Sequence, residues 1–297
     1  MNPRKANSLD LFEIKSLWKS VFPDSNDFVN RFITHFGIER CYVCEIDEVI
    51  VSMAFSLPTA LKFKVQRLKD LEVQPINNSP LKSQISCHTS QISNLKSLLY
   101  IYACATLPPY RKRSVMAKLL ETIYDEACRE NVAGIFLHAA NPDLENYYRK
   151  LGFENFFYQN SAEFISNHKG HKEDTKNTVR FIAPEVYYQK RLPKLEDYCF
   201  INWNESFFNF LSETGIQFCE YENDIFSFRV ENQSIIIDEW LGDTPKEEIA
   251  QLLFKYFPDF KTVGIYYPGQ EKCYGQIKWC KHQNENLHNG YFAYAME

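Results

Sequence analysis

The sequence predicts an α/β (α+β) protein built as two successive units, and three observations carry that expectation. The chain has 297 residues, enough for one large or two medium domains with proper cores. A β-rich run, Leu99-Tyr-Ile-Tyr-Ala-Cys-Ala105, stops at Thr106-Leu-Pro-Pro109. It is followed by a helical stripe of Met116, Leu119, Leu120, Ile123 and Ala127 and by a short apolar run, Ile135-Phe-Leu-His138. The same strand–helix–strand order returns more loosely over residues 235–268, so a duplicated architecture is expected. The predicted units are residues 1–180 and 181–297.

Taken in order, the elements follow from apolar period and punctuation. Ser8 through Phe22 reads as a helix capped by Ser8 or Asp10, with Leu11, Ile14, Leu17, Trp18 and Val21 on one stripe. Pro23-Asp-Ser25 breaks it, and Phe28, Phe32 and Phe36 mark a second helix ending near Gly37. Cys41–Ile46 and Val49–Leu57 form a hairpin across Asp47-Glu48. Residues 62–98 are rich in Lys, Ser, Asn and Gln without sustained period, and read as a long polar insertion. Leu144–Leu151 is a short helix ended by Gly152, with a strand from Phe153; Asn167–Asn177 is a polar loop before a strand at Val179–Ile182. Pro184 sits near the first position of the next helix. Ile235–Trp240 is a strand, and Thr244-Pro-Lys-Glu247 has the form of a capping box opening a helix to about Tyr256. Val263–Tyr267, Gly275–Cys280 and Tyr291–Met296 complete the strands.

Composition narrows the class. A hydrophobic share of 45% with 24% charged residues is ordinary for a globular protein, and the net charge of −5 speaks against a general nucleic-acid binder while suiting a cationic substrate. Nine cysteines scattered through strands and helices suit a reducing, cytoplasmic setting. Cys41-Tyr-Val-Cys44 lies in an alternating run where positions three apart face opposite sides, so a shared metal is not expected. The sequence shows neither a membrane-length apolar run nor a signal-peptide core.

The chemistry concentrates at the start of the long helix. Arg111, Lys112 and Arg113 crowd its first turn, although a helix N-terminus is already positive from its aligned peptide dipoles. Cations there make sense beside a bound anion, because free N–H groups at a helix start bind phosphate. The expectation is recognition of a phosphorylated cofactor.

The strand ending Ala103-Cys-Ala-Thr106, the turn Pro109-Tyr-Arg111, the helix after it, and Asn146-Tyr-Tyr-Arg-Lys-Leu-Gly-Phe153 together resemble the GCN5-related N-acetyltransferase (GNAT) superfamily. The resemblance covers roughly residues 8–160. The element order of the whole chain is similar to the two-unit, Eis-type members, in which a degenerate GNAT-like half follows the active one. It implies a mixed central sheet flanked by helices. It also implies direct acetyl transfer from acetyl-CoA to a primary amine, on a small molecule or a lysine side chain, with no nucleic-acid or membrane partner.

By the same resemblance, Ala103, Cys104, Ala105 and Thr106 offer backbone groups to the pantetheine and the acetyl carbonyl. Arg111, Lys112, Arg113, Ser114, Val115 and Met116 hold the pyrophosphate, and Asn141 either bonds the pantetheine or caps the loop before Pro142. The family loop is Arg/Gln-x-x-Gly-x-Gly/Ala, and this chain departs from it at both small positions, Ser114 and Met116. Ser114 can cap the helix or donate its hydroxyl to a phosphate oxygen; Met116 either starts the core stripe or blocks the site. Tyr148 occupies the general-acid position, or else packs beside Tyr147 and Phe153. Glu45, Glu48, His138 and the C-terminal carboxylate of Glu297 are candidate bases. The alternative function is a catalytically silent acyl-CoA sensor or interaction module on the same fold. Transfer of an aminoacyl or longer acyl group is a third reading, decided by whether the polar insertion covers the acceptor cleft.

Overall fold

The computed structural model describes residues 1–63, 95–166, 178–280, 287 and 289–296. After an edge strand β1 (Asn2–Lys5), the first half runs α1 (Leu11–Val21), α2 (Asn26–Phe36), β2 (Cys41–Ile46), β3 (Val49–Lys62) and β4 (Leu95–Thr106). It continues with α3 (Val115–Arg129), β5 (Gly134–Leu137), α4 (Pro142–Lys150) and β6 (Glu154–Ile165). The second half has β7 (Arg180–Phe181), α5 (Pro184–Lys194), β8 (Cys199–Asn202), α6 (Glu205–Glu213), β9 (Gln217–Tyr221), β10 (Asp224–Glu231) and β11 (Ser234–Leu241). Then come α7 (Lys246–Tyr256), β12 (Thr262–Pro268), β13 (Lys272–Trp279) and β14 (Gly290–Tyr291).

Local chemistry explains the boundaries. Ser25 accepts the Phe28 N–H to start α2, and Gly37 ends it at φ +87°. Asp47 and Glu48 both take positive φ, which closes a tight hairpin between β2 and β3. Along β2 the side chains alternate between two cores: Cys41 and Val43 join one, Tyr42 and Cys44 the other. The two thiols therefore face opposite sides of the sheet, as their spacing predicts.

Several expectations are corrected. The first helix begins as a 3-10 turn, Ser8–Asp10, and its cap is Asn7, whose side chain accepts the Leu9 N–H while Asp10 accepts the Asn7 N–H. The predicted 62–98 insertion is strand at both ends, because Lys62 and Leu95–Leu98 belong to the β3–β4 ladder; residues 64–94 lie outside the described residues, as does the predicted loop 167–177. The capping box at Thr244 does not form: Pro245 is the N-cap, and the carboxylate of Asp224 accepts the N–H groups of Asp243 and Thr244 instead. Of the predicted strand Tyr291–Met296 only Tyr291 is paired, and Tyr294 and Met296 take positive φ.

One sheet of fourteen strands unites the described residues, with the main order β1-β2-β3-β4-β5-β13-β6-β12-β11-β10-β9-β7. The two halves repeat one plan. Helices α1 and α2 precede the antiparallel β2-β3-β4, then α3 and the parallel β5; α5 and α6 precede β9-β10-β11, then α7 and the parallel β12. Strand β13, from late in the chain, lies between β5 and β6, while β6 pairs β12 along its second part. Each half thus receives its next strand from the other, and a pseudo-twofold normal to the sheet passes between β6 and β13. Right-handed crossovers related in this way put α3 and α7 on the same face. The opposite face carries the two helix pairs, which meet where Phe210 of α6 packs on Phe28 and Phe36 of α2 at 6.0 and 5.0 Å between ring centres.

Candidate active site

The site begins with an irregularity in β4. Ala105 pairs Met53 and Tyr102 pairs Phe55, so Ala103 and Cys104 together oppose Ala54, and Ala103 takes φ +52°. Beyond this bulge β4 is no longer paired to β5: the parallel ladder covers only Leu98–Tyr100 against Gly134–Phe136. The two strands part, and the last residues of β4 keep polar backbone groups that no β5 partner takes up.

On the α3 face of that opening stands the basic helix start. Ser114 is the N-cap in the left-handed region at φ +59°, without a capping hydrogen bond from its side chain, and Lys112 is at φ +61°. The first helical bond is Lys118 N–H to the Ser114 carbonyl at 3.0 Å, which leaves the N–H groups of Val115, Met116 and Ala117 ahead of it. Arg111 donates through Nε to the Thr106 carbonyl at 3.0 Å, tying the turn to the end of β4, and the Arg113 guanidinium lies 5.4 Å from the Tyr110 ring. Among the described residues no carboxylate pairs with Arg111, Lys112 or Arg113, and all are exposed. Of the two readings of Met116, the packing matches the first: the side chain is half-buried against the core under α3. Val115 is fully inside that core, so only its backbone faces the turn.

Tyr148 of α4 meets the bulge from the same face. Its hydroxyl neighbours the Cys104 thiol, and its ring packs on Tyr147 and Phe153 at 5.3 and 5.8 Å. Burial, then the neighbouring Cys104, push the phenol well above its ordinary value, so it holds its proton through neutral pH. Burial also pushes the Cys104 thiol up to about 12. Asn141 caps α4 by accepting the Leu144 N–H at 3.0 Å, the capping alternative of its two readings. Thr106 shares a hydroxyl hydrogen bond with Ser52 at 2.8 Å.

The opposite face of the sheet holds a cavity of about 620 Å³ that sequence reasoning missed. It is framed by Asp24 and Phe28 before and on α2, the end of α6, the residues following β5, and the chain's last described residues, Ala295 and Met296. Four acids (Asp24, Glu145, Glu231, Asp238) line it against two bases, Arg229 and Lys272. His138 lies on its wall, with Nδ1 on the Tyr274 carbonyl and its ring 4.4 Å from Tyr274. Glu45 is engaged with Arg4 on β1, and Glu297 lies outside the described residues. The cavity gathers residues from segments spread between Asp24 and Met296, which no local pattern could announce.

Helix α7, the counterpart of α3, opens with Lys246, whose ammonium lies over the Trp240 and Tyr267 rings, followed by Glu247 and Glu248.

Residues 10–153 match the family model described as "Acetyltransferase (GNAT) family". The first half of the chain therefore matches a GNAT acetyltransferase domain. No curated protein matches the sequence. Solved structures share the fold over nearly the whole chain. A probable N-acyltransferase of unknown function from Enterococcus faecalis V583 superposes at TM-score 0.67 with 13% identity, over 94% of this chain and 72% of that one. A GCN5-related N-acetyltransferase from Anabaena variabilis gives 0.66 at 12% identity, over 94% and 73%. Eis1 from Mycobacterium abscessus gives 0.59 at 8% identity, over 95% and 74%. At such identities the likeness is one of fold, and the fold is the two-unit GNAT arrangement expected from the sequence.

Proposed function

We propose that the protein transfers an acetyl group from acetyl-CoA to a primary amine in a ternary complex. The observation that carries this reading is the cationic, left-handed turn at the start of α3, without acidic partners among the described residues and next to a strand bulge that opens the sheet. Three cations beside unpaired N–H groups are electrostatically incomplete, and a diphosphate completes them. The pantetheine would then run along Ala103–Thr106, where the bulge exposes backbone polar groups that can polarise the thioester carbonyl.

The acceptor amine would enter from the cavity on the other face, whose acidic balance favours cations. It must lose a proton to attack; its nitrogen then bonds the acetyl carbon, the carbon–sulfur bond breaks, and the departing thiolate takes a proton. Tyr148, held protonated at the bulge, is the donor this arrangement supports. His138, on the cavity wall, is the described residue best placed to accept the amine proton.

Calorimetric titration of acetyl-CoA into the full chain tests the reading. Saturable binding is expected, weakened by at least about 100-fold in Arg111→Glu, which replaces a charge-assisted contact with repulsion. Absence of heat at millimolar acetyl-CoA would defeat it. A catalytically silent acyl-CoA sensor, favoured by the Ser114 and Met116 departures, would bind with the same Arg111 dependence but release no thiol with any amine.

A further inference from the structure

We propose that the cavity contains a second cation subsite, built on Asp238, that selects small diamines or polyamines by holding one protonated nitrogen while another is acylated. The proposal rests on the transferase reading above and adds to it the class of acceptor.

The geometry of β11 supplies the first observation. Ser227 of β10 pairs Glu239, and Phe228 pairs Ile237, so Asp238 is the extra residue of a β-bulge. It follows directly on Ile237, the last residue of β11 paired to β12. The bulge of β4 likewise lies beyond the last pair with β5, at Ala103 and Cys104 after Tyr100, so each half carries a bulge past the end of its parallel ladder. In the first half the bulge faces the basic helix start; in the second it turns a carboxylate toward the cavity.

The second observation is an unmet hydrogen-bonding need. The Asp238 side chain is 8% exposed, and its Oδ1 is held by Arg229. Its Oδ2 is buried without any hydrogen-bond partner. Native structures rarely leave a buried carboxylate oxygen without a donor, and such exceptions cluster where a ligand supplies one. Arg229 also donates through Nε to Glu231 at 2.6 Å, so one guanidinium serves two carboxylates and the cluster keeps a net negative charge. An ammonium group meets both needs, since it brings donors to Oδ2 and the missing positive charge.

The remaining walls say what joins the two nitrogens. Phe28, Phe210, Tyr266, Tyr274 and Tyr294 line the space between the β5 end and β11, which suits a methylene chain. The reacting amine must be neutral when it attacks, so a single nitrogen cannot serve both ends. The acceptor must carry at least two.

The test uses the full chain, acetyl-CoA, and two acceptors of matched length, 1,5-diaminopentane and 5-aminopentan-1-ol, followed by thiol release. The diamine is expected to show a KM at least about tenfold lower, with the ratio falling toward one in Asp238→Asn. Equal KM values in the wild-type protein overturn the proposal without any variant and leave the transferase reading intact. Calorimetry of 1,5-diaminopentane into CoA-saturated protein gives a readout independent of turnover. Heat that is lost in a folded Asp238→Asn supports the subsite, and no heat in the wild type overturns it. If no amine releases thiol, the transferase reading fails, and calorimetry still decides the subsite.

Discussion

Replacing Tyr148 by Phe separates chemistry from architecture at this site. The ring is almost fully buried and keeps its contacts with Tyr147 and Phe153 in the variant, so no cavity opens. What leaves is one hydroxyl whose neighbour is the Cys104 thiol, at best a weak hydrogen-bonding group. A neutral buried hydrogen bond is worth about 0.5–1.5 kcal/mol, and a thiol partner places this one at the low end, so unfolding free energy should fall by less than about 1 kcal/mol. General-acid assistance contributes about 10²–10⁴ in rate, so kcat should drop at least about 100-fold while acetyl-CoA affinity stays unchanged. The pH profile adds a signature. Because burial raises the phenol, its acid form persists above the ordinary value of about 10, and the wild-type rate should show no alkaline loss from this group below that pH. Steady-state thiol release, read beside calorimetric binding, makes the measurement. A variant that turns over within about threefold of wild type, with binding intact, would show that Tyr148 is packing alone.

Two further outcomes follow from the local geometry. Ser114→Gly relieves a left-handed non-glycine residue, worth about 1–2 kcal/mol, against an added unfolded-chain entropy of about 0.4–1 kcal/mol, so thermal stability should rise slightly. Its acetyl-CoA affinity should increase as the hydroxymethyl group leaves the approach to the Met116 and Ala117 N–H groups, and a weaker affinity would mean that the serine hydroxyl itself holds a phosphate. Asp10, held below its ordinary value mainly by its hydrogen bonds with Arg4, gives stability that is present above the unfolded carboxylate value near 4 and disappears as pH falls through the lower folded value. Urea unfolding between about pH 2 and 6 should show a flatter acid decline in Asp10→Asn than in the wild type.

Legibility differed by the range of the forces involved. The β4–α3 unit was readable because a local apolar period, a proline stop and a run of cations coincide over thirty residues, from 99 to 128. The hairpin at Asp47-Glu48 was readable for the same reason. Strand β1, Asn-Pro-Arg-Lys, was not: it has no period, and Arg4 is held by Asp10 and Glu45, a long-range arrangement. Helix α6 and the β9–β10 hairpin escaped because the aromatic residues from Phe207 to Phe228 are interleaved with polar ones without a single sustained period. The segment after Tyr291 looked like a strand, yet it is fixed by tertiary bonds. Tyr100 donates to the Ala295 carbonyl, and Trp203 to that of Ala293 at 3.1 Å. The basic turn and the end of β4 that it adjoins are local in sequence, within residues 99–116. The cavity side is assembled from both halves, and only coordinates reveal Asp238.

The crossing-over of β6 and β13 has a consequence for biosynthesis. When residue 166 leaves the ribosome, β5 still has a bare edge and β6 has neither of its principal neighbours, because β12 and β13 have yet to be translated. Unpaired edges of this kind invite pairing with other nascent chains. Closure of the N-terminal sheet must wait for Trp279, so the two halves cannot mature one after the other as separate modules. They complete each other late, and a truncation that looks modular on the element map would leave the first half unfinished.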